Sequence, residues 1–389
     1  MQLQPTRRPN YLAFGTPDFT DAEIDAVARV MRSGWAGMGQ ETIAFEKELS
    51  EYIGAPEVVT VNSCTSALFL ALLAEGVGPG DEVIVPSLTW CATANAALYL
   101  GAKPVFCDVD PLSMCVTPET ITAKLSPRTK AVIVVHYGGY AIDVDALRTA
   151  LPSGVAIIED AAHALGAVHS NGKRVGASGN TVCFSFYANK NLSTADGGAI
   201  ALFDADKAAH LRSSSMSGMD SNAWSRYTKP TTAFVGGLSE LGYKMNFTDL
   251  QAAIGRVQLA RFDSMADHRL RLAKRYQERF KAIGDTIRFQ QGVFSDAHAR
   301  HLLVGLFDPA ITGMNRDVLL LKLRERNIGA SIHYAPLHTM PLYAHSSCAL
   351  PVTEMLAEQI MTLPISAKMT LEDVDYVMSH IEDLVGLKG

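Results

Sequence analysis

The sequence predicts an α/β fold: a large domain with a mostly parallel central sheet covered by helices, followed by a smaller C-terminal α+β domain. Between residues 57 and 202, short β-type runs alternate with helical segments. The strand candidates are near-continuous apolar runs, as expected when helices cover both faces of a parallel sheet. After residue 203 this alternation stops, which indicates a second unit of different architecture.

The elements of the first region alternate along the chain. Strands are expected at Val58–Val61, Glu82–Val85, Pro104–Cys107, Ala131–Val135, Val155–Ile158 and Gly198–Phe203. Helices are expected at Ser66–Ala74, Ala92–Leu100 and Val144–Ala150, and after Thr117-Pro118, a cap followed by a proline at the first helical position. Ligands of open parallel sheets bind beyond the carboxyl ends of the strands, so site residues are expected there.

The second region contains a loop, a capped helix and smaller elements. Residues Ser213–Thr232 are rich in serine and small side chains, which predicts a loop of functional length. Thr248 and Gln251 form a capping-box pattern. The remaining elements are expected as helices at Ala266–Ile283, Arg316–Arg326 and Leu371–Leu387 and a strand at His301–Phe307. We therefore expect a large domain with the N-terminal segment over residues 1–263 and a small C-terminal domain over residues 264–389.

The composition indicates a globular protein and excludes several classes. Of 389 residues, 48% are hydrophobic and 19% are charged, which argues against disorder. The net charge of −6, without a lysine/arginine block, argues against nucleic acid as a partner. The longest apolar run, Ala67–Ala74, is too short to cross a bilayer, so no membrane association is expected. Six cysteines without C-x-x-C pairs and eleven histidines without metal-ligand spacing favour a reducing cytoplasm and no metal site.

The most informative segment is Cys183-Phe-Ser-Phe-Tyr-Ala-Asn-Lys190, followed closely by Gly197-Gly198. A lysine has a pKa of about 10.4 and becomes a nucleophile only when it is desolvated or placed near positive charge. A strand that delivers one lysine into a polar turn suits an enzyme that holds a carbonyl cofactor as an imine. Lys190 is therefore the candidate catalytic residue.

The turn Asn62-Ser-Cys-Thr-Ser66 joins a predicted strand to a predicted helix. Free backbone N–H groups and hydroxyls at the N-terminus of a helix form a ready phosphate site. Ser63 or Thr65 could equally serve only as the helix cap. The turn is thus a candidate phosphate site with a structural alternative.

Glu159-Asp-Ala-Ala-His163 follows the predicted strand Val155–Ile158. A buried acid at a strand end must be paired, because its desolvation is otherwise costly. The protonated nitrogen of a pyridine ring is one such partner. Asp160 would then keep that nitrogen charged, so that the ring acts as an electron sink. Taken alone, the segment is more typical of a helix cap or a salt bridge.

Four further side chains are candidates for contact with a ligand, and purely structural roles are considered beside them. Trp90 could stack its flat face on a heteroaromatic ring, although a lone tryptophan is more often part of the core. His163 is most simply a polar histidine whose hydrogen bonds are satisfied within the protein. Contact with a cofactor is the more specific hypothesis. Ser185 could reach the same phosphate as Thr65. Asn246 could contribute there too, but its local context favours helix capping.

The order of these features is specific: a phosphate turn, a stacking aromatic, a strand-end Asp-x-x-His and a lysine, with 30 residues from Asp160 to Lys190. Together they resemble the fold type I, pyridoxal phosphate (PLP)-dependent transferases. Within these the chain resembles the DegT/DnrJ/StrS family of sugar aminotransferases from about Gly15 to the C-terminus. The family-like segments are Ser33–Trp35, Gly78–Ser87, Ala102–Asp108, Glu159–His163, Ser185–Asn191 and Gly242–Asn246. Ser87–Trp90 and Ile328–His333 are most similar to the branch that aminates UDP-linked 4-keto pentoses in lipid A modification.

The resemblance implies a role for each site residue. Lys190 carries the cofactor as an imine and shuttles the proton, Asp160 holds the pyridine nitrogen, and Trp90 stacks on the ring with His163 beside it. The phosphate ligands implied are Cys64, Thr65, Ser185 and, from the neighbouring subunit, Asn246. The resemblance thus implies PLP as the cofactor and a homodimer with shared active sites.

The implied reaction is a transamination in two halves. An amino acid, with glutamate favoured by the resemblance, gives its amino group to the cofactor, and a nucleotide-linked 4-keto sugar takes it. No arginine, including Arg324 and Arg326 of the small domain, is assigned to the donor carboxylate.

Three alternatives are less compatible with the residues. PLP-dependent sugar dehydratases of this fold have histidine where this chain has Lys190, so the lysine argues against dehydration. A non-catalytic PLP-binding regulator is disfavoured because every site residue is retained. A nicotinamide enzyme is disfavoured because no G-x-G-x-x-G follows the first strand. Family members often have Gly, Gln and Glu where this chain has Cys64, His163 and Asp196, and Cys64 gives the phosphate turn less conformational freedom.

Overall fold

The computed structural model describes residues 5–219, 238, 240–284, 287–346 and 348–386. Its α-helices in these ranges are α1 (Asp21–Ser33), α2 (Gln40–Ile53), α3 (Cys64–Ala74), α4 (Ala92–Tyr99), α5 (Pro118–Thr122), α6 (Val144–Ala150), α7 (Ala205–Ser215), α8 (Asp249–Ala260), α9 (Phe262–Ala282), α10 (Pro309–Thr312), α11 (Arg316–Glu325), α12 (Pro351–Gln359) and α13 (Leu371–Val385). Its strands are β1 (Glu57–Val61), β2 (Glu82–Pro86), β3 (Lys103–Cys107), β4 (Thr129–Val135), β5 (Ala156–Asp160), β6 (Thr181–Ser185), β7 (Gly198–Leu202), β8 (Arg288–Phe289), β9 (Leu303–Leu306) and β10 (Ile360–Leu363).

Seven strands form one sheet in the order β1-β7-β6-β5-β4-β2-β3. β7 runs antiparallel to both of its neighbours, and the other six strands share one direction. The mostly parallel sheet that the sequence predicts is therefore confirmed. Because parallel strands end at the same edge, the turns that follow β1, β2, β5 and β6 are brought together.

Helices cover both faces of this sheet, which explains why its strands are apolar throughout. Successive side chains of a strand point to opposite faces. In β4, Ile133 packs in a cluster with residues of α3 and α4, whereas Val132 and Val134 pack with residues of α6. In β6, Phe184 packs against residues of α2.

A second, antiparallel sheet has the order β10-β9-β8. A hydrophobic cluster that includes Tyr276, Leu323 and Val377 joins this sheet to α9, α11 and α13. The N-terminal segment reaches the same cluster, since Leu12 forms a parallel bridge with Ile328. The predicted domain boundary between residues 263 and 264 falls at the start of α9 and stays a prediction.

Several element boundaries differ from the sequence-based expectations. β6 ends at Ser185, and Lys190 lies in the following turn, where its amide donates to the Tyr187 carbonyl at 2.9 Å. The predicted strand from His301 begins only at Leu303, because its pairing with β10 starts there, with Leu303 opposite Leu363.

The predicted loop from Ser213 begins later than expected. α7 continues to Ser215, supported by an Asp204 cap, so the first residues of that segment are helical, and residues 220–232 lie outside the described residues. The last helix ends at Val385, and residue 387 lies outside them too. Five of these helices, α1, α2, α7, α10 and α12, were not predicted from the sequence.

Two helix starts were predicted from their caps and are confirmed. Thr248 and Gln251 form both bonds of a capping box at α8, and Thr117 caps α5 ahead of Pro118. Within the described ranges, no helix combines the length and apolar character that a membrane crossing requires.

Candidate active site

The carboxyl ends of β1, β2, β5 and β6 surround a cavity of about 510 Å³. This volume is typical of a small-molecule site. Seven of the predicted site residues line it: Cys64, Thr65, Trp90, Asp160, His163, Ser185 and Lys190. Most of the residues that the sequence predicted therefore lie on the cavity wall, and Asn246 is the exception.

One end of the cavity is the N-terminus of α3. Ser63 is the helix cap, and its hydroxyl accepts a hydrogen bond from the Ser66 amide at 3.1 Å. The amides of Cys64 and Thr65 in the same turn have no intrahelical acceptor, as at the start of any α-helix. Both residues line the cavity, so their N–H groups can serve an anion. Ser63 is therefore the cap, and the anion site at Cys64 and Thr65 stays a prediction that this cap does not exclude.

A glycine allows β7 to approach this turn closely. A Cβ added to Gly198 would lie 2.7 Å from the Cys64 amide nitrogen. Such a contact is not tolerated against backbone, so any larger residue would displace the first turn of α3. Gly198 thus helps to fix the position of the candidate anion site.

Asp160 is the last residue of β5 and is 5% exposed. Its two carboxylate oxygens accept hydrogen bonds from the Thr93 hydroxyl at 2.8 Å and the Ala162 amide at 3.1 Å. Burial raises the pKa of Asp160, although these two bonds and Lys190 oppose the rise. A turn rather than a helix follows Asp160, so the helix-cap alternative is wrong. Its partners are a hydroxyl and an amide, which leaves it free to face a cation in the cavity.

Lys190 supplies an amine to the same cavity. Burial lowers the pKa of Lys190 to about 8, with Cys64 and Asp160 acting in the opposite direction. Its Nζ atom lies 3.4 Å from Nε2 of His301. An amine with this pKa loses its proton close to neutral pH, which is the property that a nucleophile or a proton carrier requires.

His163 lines the cavity as a neutral imidazole. Its Nδ1 accepts from the Gly138 amide at 3.3 Å, so the proton belongs on Nε2, which lies 3.1 Å from the Tyr334 hydroxyl. Burial lowers the pKa of His163 well below its usual value, with help from Lys190 and His333. His163 is therefore satisfied by protein partners and also faces the cavity, and its contact with a cofactor stays a prediction.

Trp90 stands at the mouth of the cavity and is 61% exposed. The interpretation of Trp90 as a core residue is therefore wrong. Its ring lies 5.9 Å from that of Tyr334 at an angle of 52°. An exposed indole on the wall of a cavity is available to stack on a flat ligand.

Ser185 and Asn246 differ in position. Ser185 ends β6 and lines the cavity, and its hydroxyl oxygen lies 3.4 Å from the Tyr187 amide. Asn246 lies beside the end of β1, where it bridges Val61, and its side chain donates to the Phe247 carbonyl. Thr248 caps α8, so the capping role considered for Asn246 is wrong.

The sequence analysis missed residues that reach the site through tertiary packing. The hydroxyl of Thr93 donates to Asp160, which is 67 residues away in the sequence. His301 contacts Lys190, which is 111 residues away. Phe14 and Tyr334 line the cavity from distant segments. Tyr334 had the best available signal, since it directly follows the segment ending at His333 that resembles a known family.

A second depression lies between α2 and α8. It is larger, at about 700 Å³, but it is open to solvent and contains none of the predicted site residues. Arg256 in this depression pairs with Glu48 and Glu41. In the described part of the chain, no group of three or more His, Cys, Asp or Glu side chains is arranged to hold a metal ion.

This fold, with a lysine amine and a buried carboxylate in one cavity, defines the class of transferases that use a carbonyl cofactor. The sequence profile of the DegT/DnrJ/EryC1/StrS aminotransferase family matches residues 17–382, and the chain belongs to that family.

Three similar proteins illustrate the family. The chain is 39% identical over 386 residues to the spore coat polysaccharide biosynthesis protein SpsC of Bacillus subtilis, covering 97% of this chain and 98% of SpsC. The PLP form of Spr1654 from Streptococcus pneumoniae superposes with a TM-score of 0.88 at 28% identity, covering 97% of this chain and 99% of that one. The sugar aminotransferase CalS13 from Micromonospora echinospora has a TM-score of 0.85 at 26% identity over 96% and 99% of the two chains. The predictions of an aminotransferase, of the fold type I architecture and of PLP as its cofactor are thereby confirmed.

The side chains present fit PLP in their chemistry. A phosphate requires N–H donors, which the first turn of α3 offers. A pyridine nitrogen that is to stay protonated requires a carboxylate, and Asp160 is buried with two donors and no cation among its hydrogen-bond partners. A carbonyl requires an amine that can lose its proton, and Lys190 meets that need.

Proposed function

We propose that this aminotransferase moves an amino group from an amino acid, with glutamate as the expected donor, to a nucleotide-linked 4-keto sugar. The observation that carries the proposal is the pairing of the Lys190 amine and the Asp160 carboxylate on the wall of one cavity. Aminotransfer needs a group that moves a proton and a group that keeps the cofactor electron-withdrawing. Lys190 is proposed for the first role and Asp160 for the second.

When bound, PLP supplies an electron sink that stabilises negative charge on the carbon next to the transferred nitrogen. The residues of this chain then bind, orient and move protons. The amides at Cys64 and Thr65, with the Ser185 hydroxyl, are proposed to hold the phosphate. Trp90 is proposed to cover one face of the ring and His163 to lie beside it. The Lys190 Nζ atom is proposed to take the proton from the donor α-carbon and later return one to the acceptor.

The proposal of a sugar acceptor is supported by the similar proteins and by the cavity mouth. SpsC belongs to polysaccharide biosynthesis, and CalS13 is a sugar aminotransferase. At the mouth, Trp90 is 61% and Tyr187 52% exposed. Aromatic faces suit the apolar C–H faces of a sugar as well as a nucleobase.

A homodimer with shared active sites is proposed for the same reaction. Asn246 does not line the cavity of its own chain, yet it is the predicted fourth phosphate ligand. Its placement outside this wall supports a role in the cavity of a second subunit. The six cysteines are all free thiols, which supports the proposed cytoplasmic location.

The reaction is tested with purified protein reconstituted with PLP. Glutamate is expected to abolish the visible absorbance of the bound cofactor and to yield one 2-oxoglutarate per site. A panel of nucleotide-linked 4-keto sugars is then expected to restore the absorbance, and the best acceptor identifies the nucleotide. Lys190→Ala should do neither, whereas Lys207→Ala, on a surface pair with Glu75, should behave as the wild type. Glutamate turnover that persists in Lys190→Ala would contradict the proposal.

The shared site is tested by mixing two inactive variants, Lys190→Ala and Asn246→Ala, under conditions that exchange subunits. A hybrid dimer would contain one site with both native residues, so about a quarter of wild-type activity is expected to return. If Asn246 served its own subunit, each hybrid site would lack one residue, and the mixture would stay inactive.

A further inference from the structure

His301 is a buried residue to which neither the sequence nor the proposed reaction gives a role. It is 4% exposed and contacts the Lys190 amine at 3.4 Å, but it does not line the cavity. Its ring centroid lies 4.5 Å from that of His163. The imidazole therefore contacts the Lys190 amine without contributing to the cavity wall.

The segment that carries His301 is anchored on both sides. The Ala299 and Leu302 amides donate to the carbonyls of Gly139 and Gly138 at 3.0 and 3.1 Å. The Asn191 side chain, next to Lys190, donates to the Ala299 carbonyl at 2.7 Å. The loop that carries Lys190 and the turn that carries His301 are thus hydrogen-bonded to each other, which holds their backbones side by side.

Gly139 is what allows this close docking. A Cβ at Gly139 would lie 2.9 Å from the Arg300 amide nitrogen and 3.1 Å from the His163 carbonyl oxygen. The Gly138 amide also supplies the hydrogen bond that fixes His163. One glycine pair therefore positions both imidazoles around the amine.

The charged and titratable groups that act most strongly on His301 are basic and come from four elements of the fold. They are Lys190 from the turn after β6, His163 from the turn after β5, Arg269 from α9 and His333 from the segment before β10. Burial lowers the pKa of His301 well below its usual value, and these groups lower it further. A neutral imidazole keeps one nitrogen lone pair, which can accept a hydrogen bond from Nζ. The other ring nitrogen, Nδ1, is buried and has no partner among the described residues.

We propose that His301 is a positioning residue for Lys190, accepting one hydrogen from Nζ so that the remaining positions of the amine face the cavity. The proposal rests on the proposed function of Lys190 as the reactive amine. A hydrogen bond to a charged donor is stronger than one to a neutral donor, so His301 also favours the ammonium form of Lys190. It thereby opposes part of the effect of burial and keeps the amine near its working range.

The test measures the pKa of Lys190 in cofactor-free protein, where neither catalysis nor PLP contributes. Labelling of Lys190 by an amine-reactive acylating reagent is followed across pH, with the Lys190 peptide quantified by mass spectrometry. In His301→Leu, the pKa should fall by about one unit, because the ammonium loses a charge-assisted bond. His301→Gln offers an oxygen at the reach of Nε2 and should restore the wild-type value.

His380→Leu is the matched control, since His380 is 1% exposed, lies in α13 and contacts Arg326 rather than Lys190. This variant should be destabilised to a similar extent, with an unchanged Lys190 pKa. An unchanged pKa in His301→Leu, or an equal fall in His380→Leu, would overturn the proposal. The proposed function is tested independently of this experiment. It fails if PLP is not linked to Lys190, whatever the outcome for His301.

Discussion

Two neighbouring carboxylates on β5, Glu159 and Asp160, are both buried and have opposite properties. Glu159 is fully buried, and its oxygens accept hydrogen bonds from His136 and Asn180 at 2.8 Å each and from Ser178 at 2.5 Å. Burial alone would raise the pKa of Glu159, but the bond and charge of His136 and the other bonds lower it. Glu159 is thus a satisfied carboxylate within the fold.

Asp160 points to the other face of the strand, as the alternation of a β-strand requires. It has two donors, Thr93 and the Ala162 amide, and burial raises the pKa of Asp160. It lines the cavity, whereas Glu159 does not. The comparison teaches that burial does not mark a functional acid. Asp160 differs because its carboxylate has few hydrogen-bond donors from the protein on the side where a ligand fits.

The largest effect is expected when the charge of Asp160 is removed. Asp160→Asn should lower kcat/KM on the order of 10³-fold while the protein stays folded, because a neutral amide cannot keep a ring nitrogen protonated. Steady-state kinetics and circular dichroism measure the two properties. Glu159→Gln is the matched control and should lose less than about tenfold when assayed below its melting temperature. Equal losses in the two variants would remove the distinction between the carboxylates.

The second prediction concerns stability, to which Glu159 is expected to contribute more than Asp160. Glu159→Ala should lower the free energy of unfolding by about 3 kcal/mol, because it leaves the buried donor of His136 and the half-buried donor of Asn180 unpaired. Urea denaturation of the cofactor-free protein measures this change. Glu51→Ala, at an exposed surface position, should stay within about 0.5 kcal/mol of the wild type. A loss as small as that of Glu51→Ala would show that the Glu159 network is not structural.

The protonated amine of Lys190, on the cavity wall, gives a pH-dependent test of stability. Lys190→Met should stabilise the cofactor-free protein by about 3 kcal/mol at pH 7, because the wild type buries a charge there. Between the folded pKa of about 8 and the unfolded value of about 10.4, the unfolded wild type binds the additional proton. The stability of the wild type therefore rises relative to the variant in this window. Denaturation curves from pH 7 to 9.5 should show the advantage of Lys190→Met shrinking, and a constant advantage would contradict the lowered pKa.

The smallest effect is expected at Thr93, which supports Asp160 from α4. Thr93→Val keeps the shape but removes the hydroxyl that donates to Asp160, and should cost about 1 kcal/mol of stability. Since the hydroxyl stabilises the charged form, the pKa of Asp160 should rise further and kcat/KM should fall several-fold, more steeply at low pH. Thr89→Val changes the hydroxyl next to Thr93 and should affect the pH profile less. Identical profiles for the two variants would contradict direct support from Thr93.

The sequence predicted the parts of the site that local chemistry determines. Lys190, Asp160 and the turn at Cys64 and Thr65 follow apolar strands, which made them candidates, and their joint order along the chain made the set specific. Thr248 was identified as a cap because the capping box is a pattern of four consecutive residues. Local patterns of this kind also gave the order of the strands and helices from residue 57 to 202.

What the sequence could not predict depends on segments that meet only in the folded chain. His301 reaches Lys190 because its turn docks on Gly138 and Gly139, a contact with no local pattern. The exposure of Trp90 also depends on tertiary packing, so the sequence alone left its stacking role beside the alternative of a core residue. The end of β6 at Ser185 depends on pairing with β7, which local propensity does not report.

The most direct test of the account is to locate the covalent link between protein and cofactor. The holoenzyme is reduced with borohydride, which fixes a carbon–nitrogen bond to PLP permanently, then digested and mapped by mass spectrometry. The account predicts one cofactor adduct per chain, on Lys190, that disappears when glutamate is added before the reductant. An adduct on another lysine, or none in a protein that still converts glutamate, would contradict it.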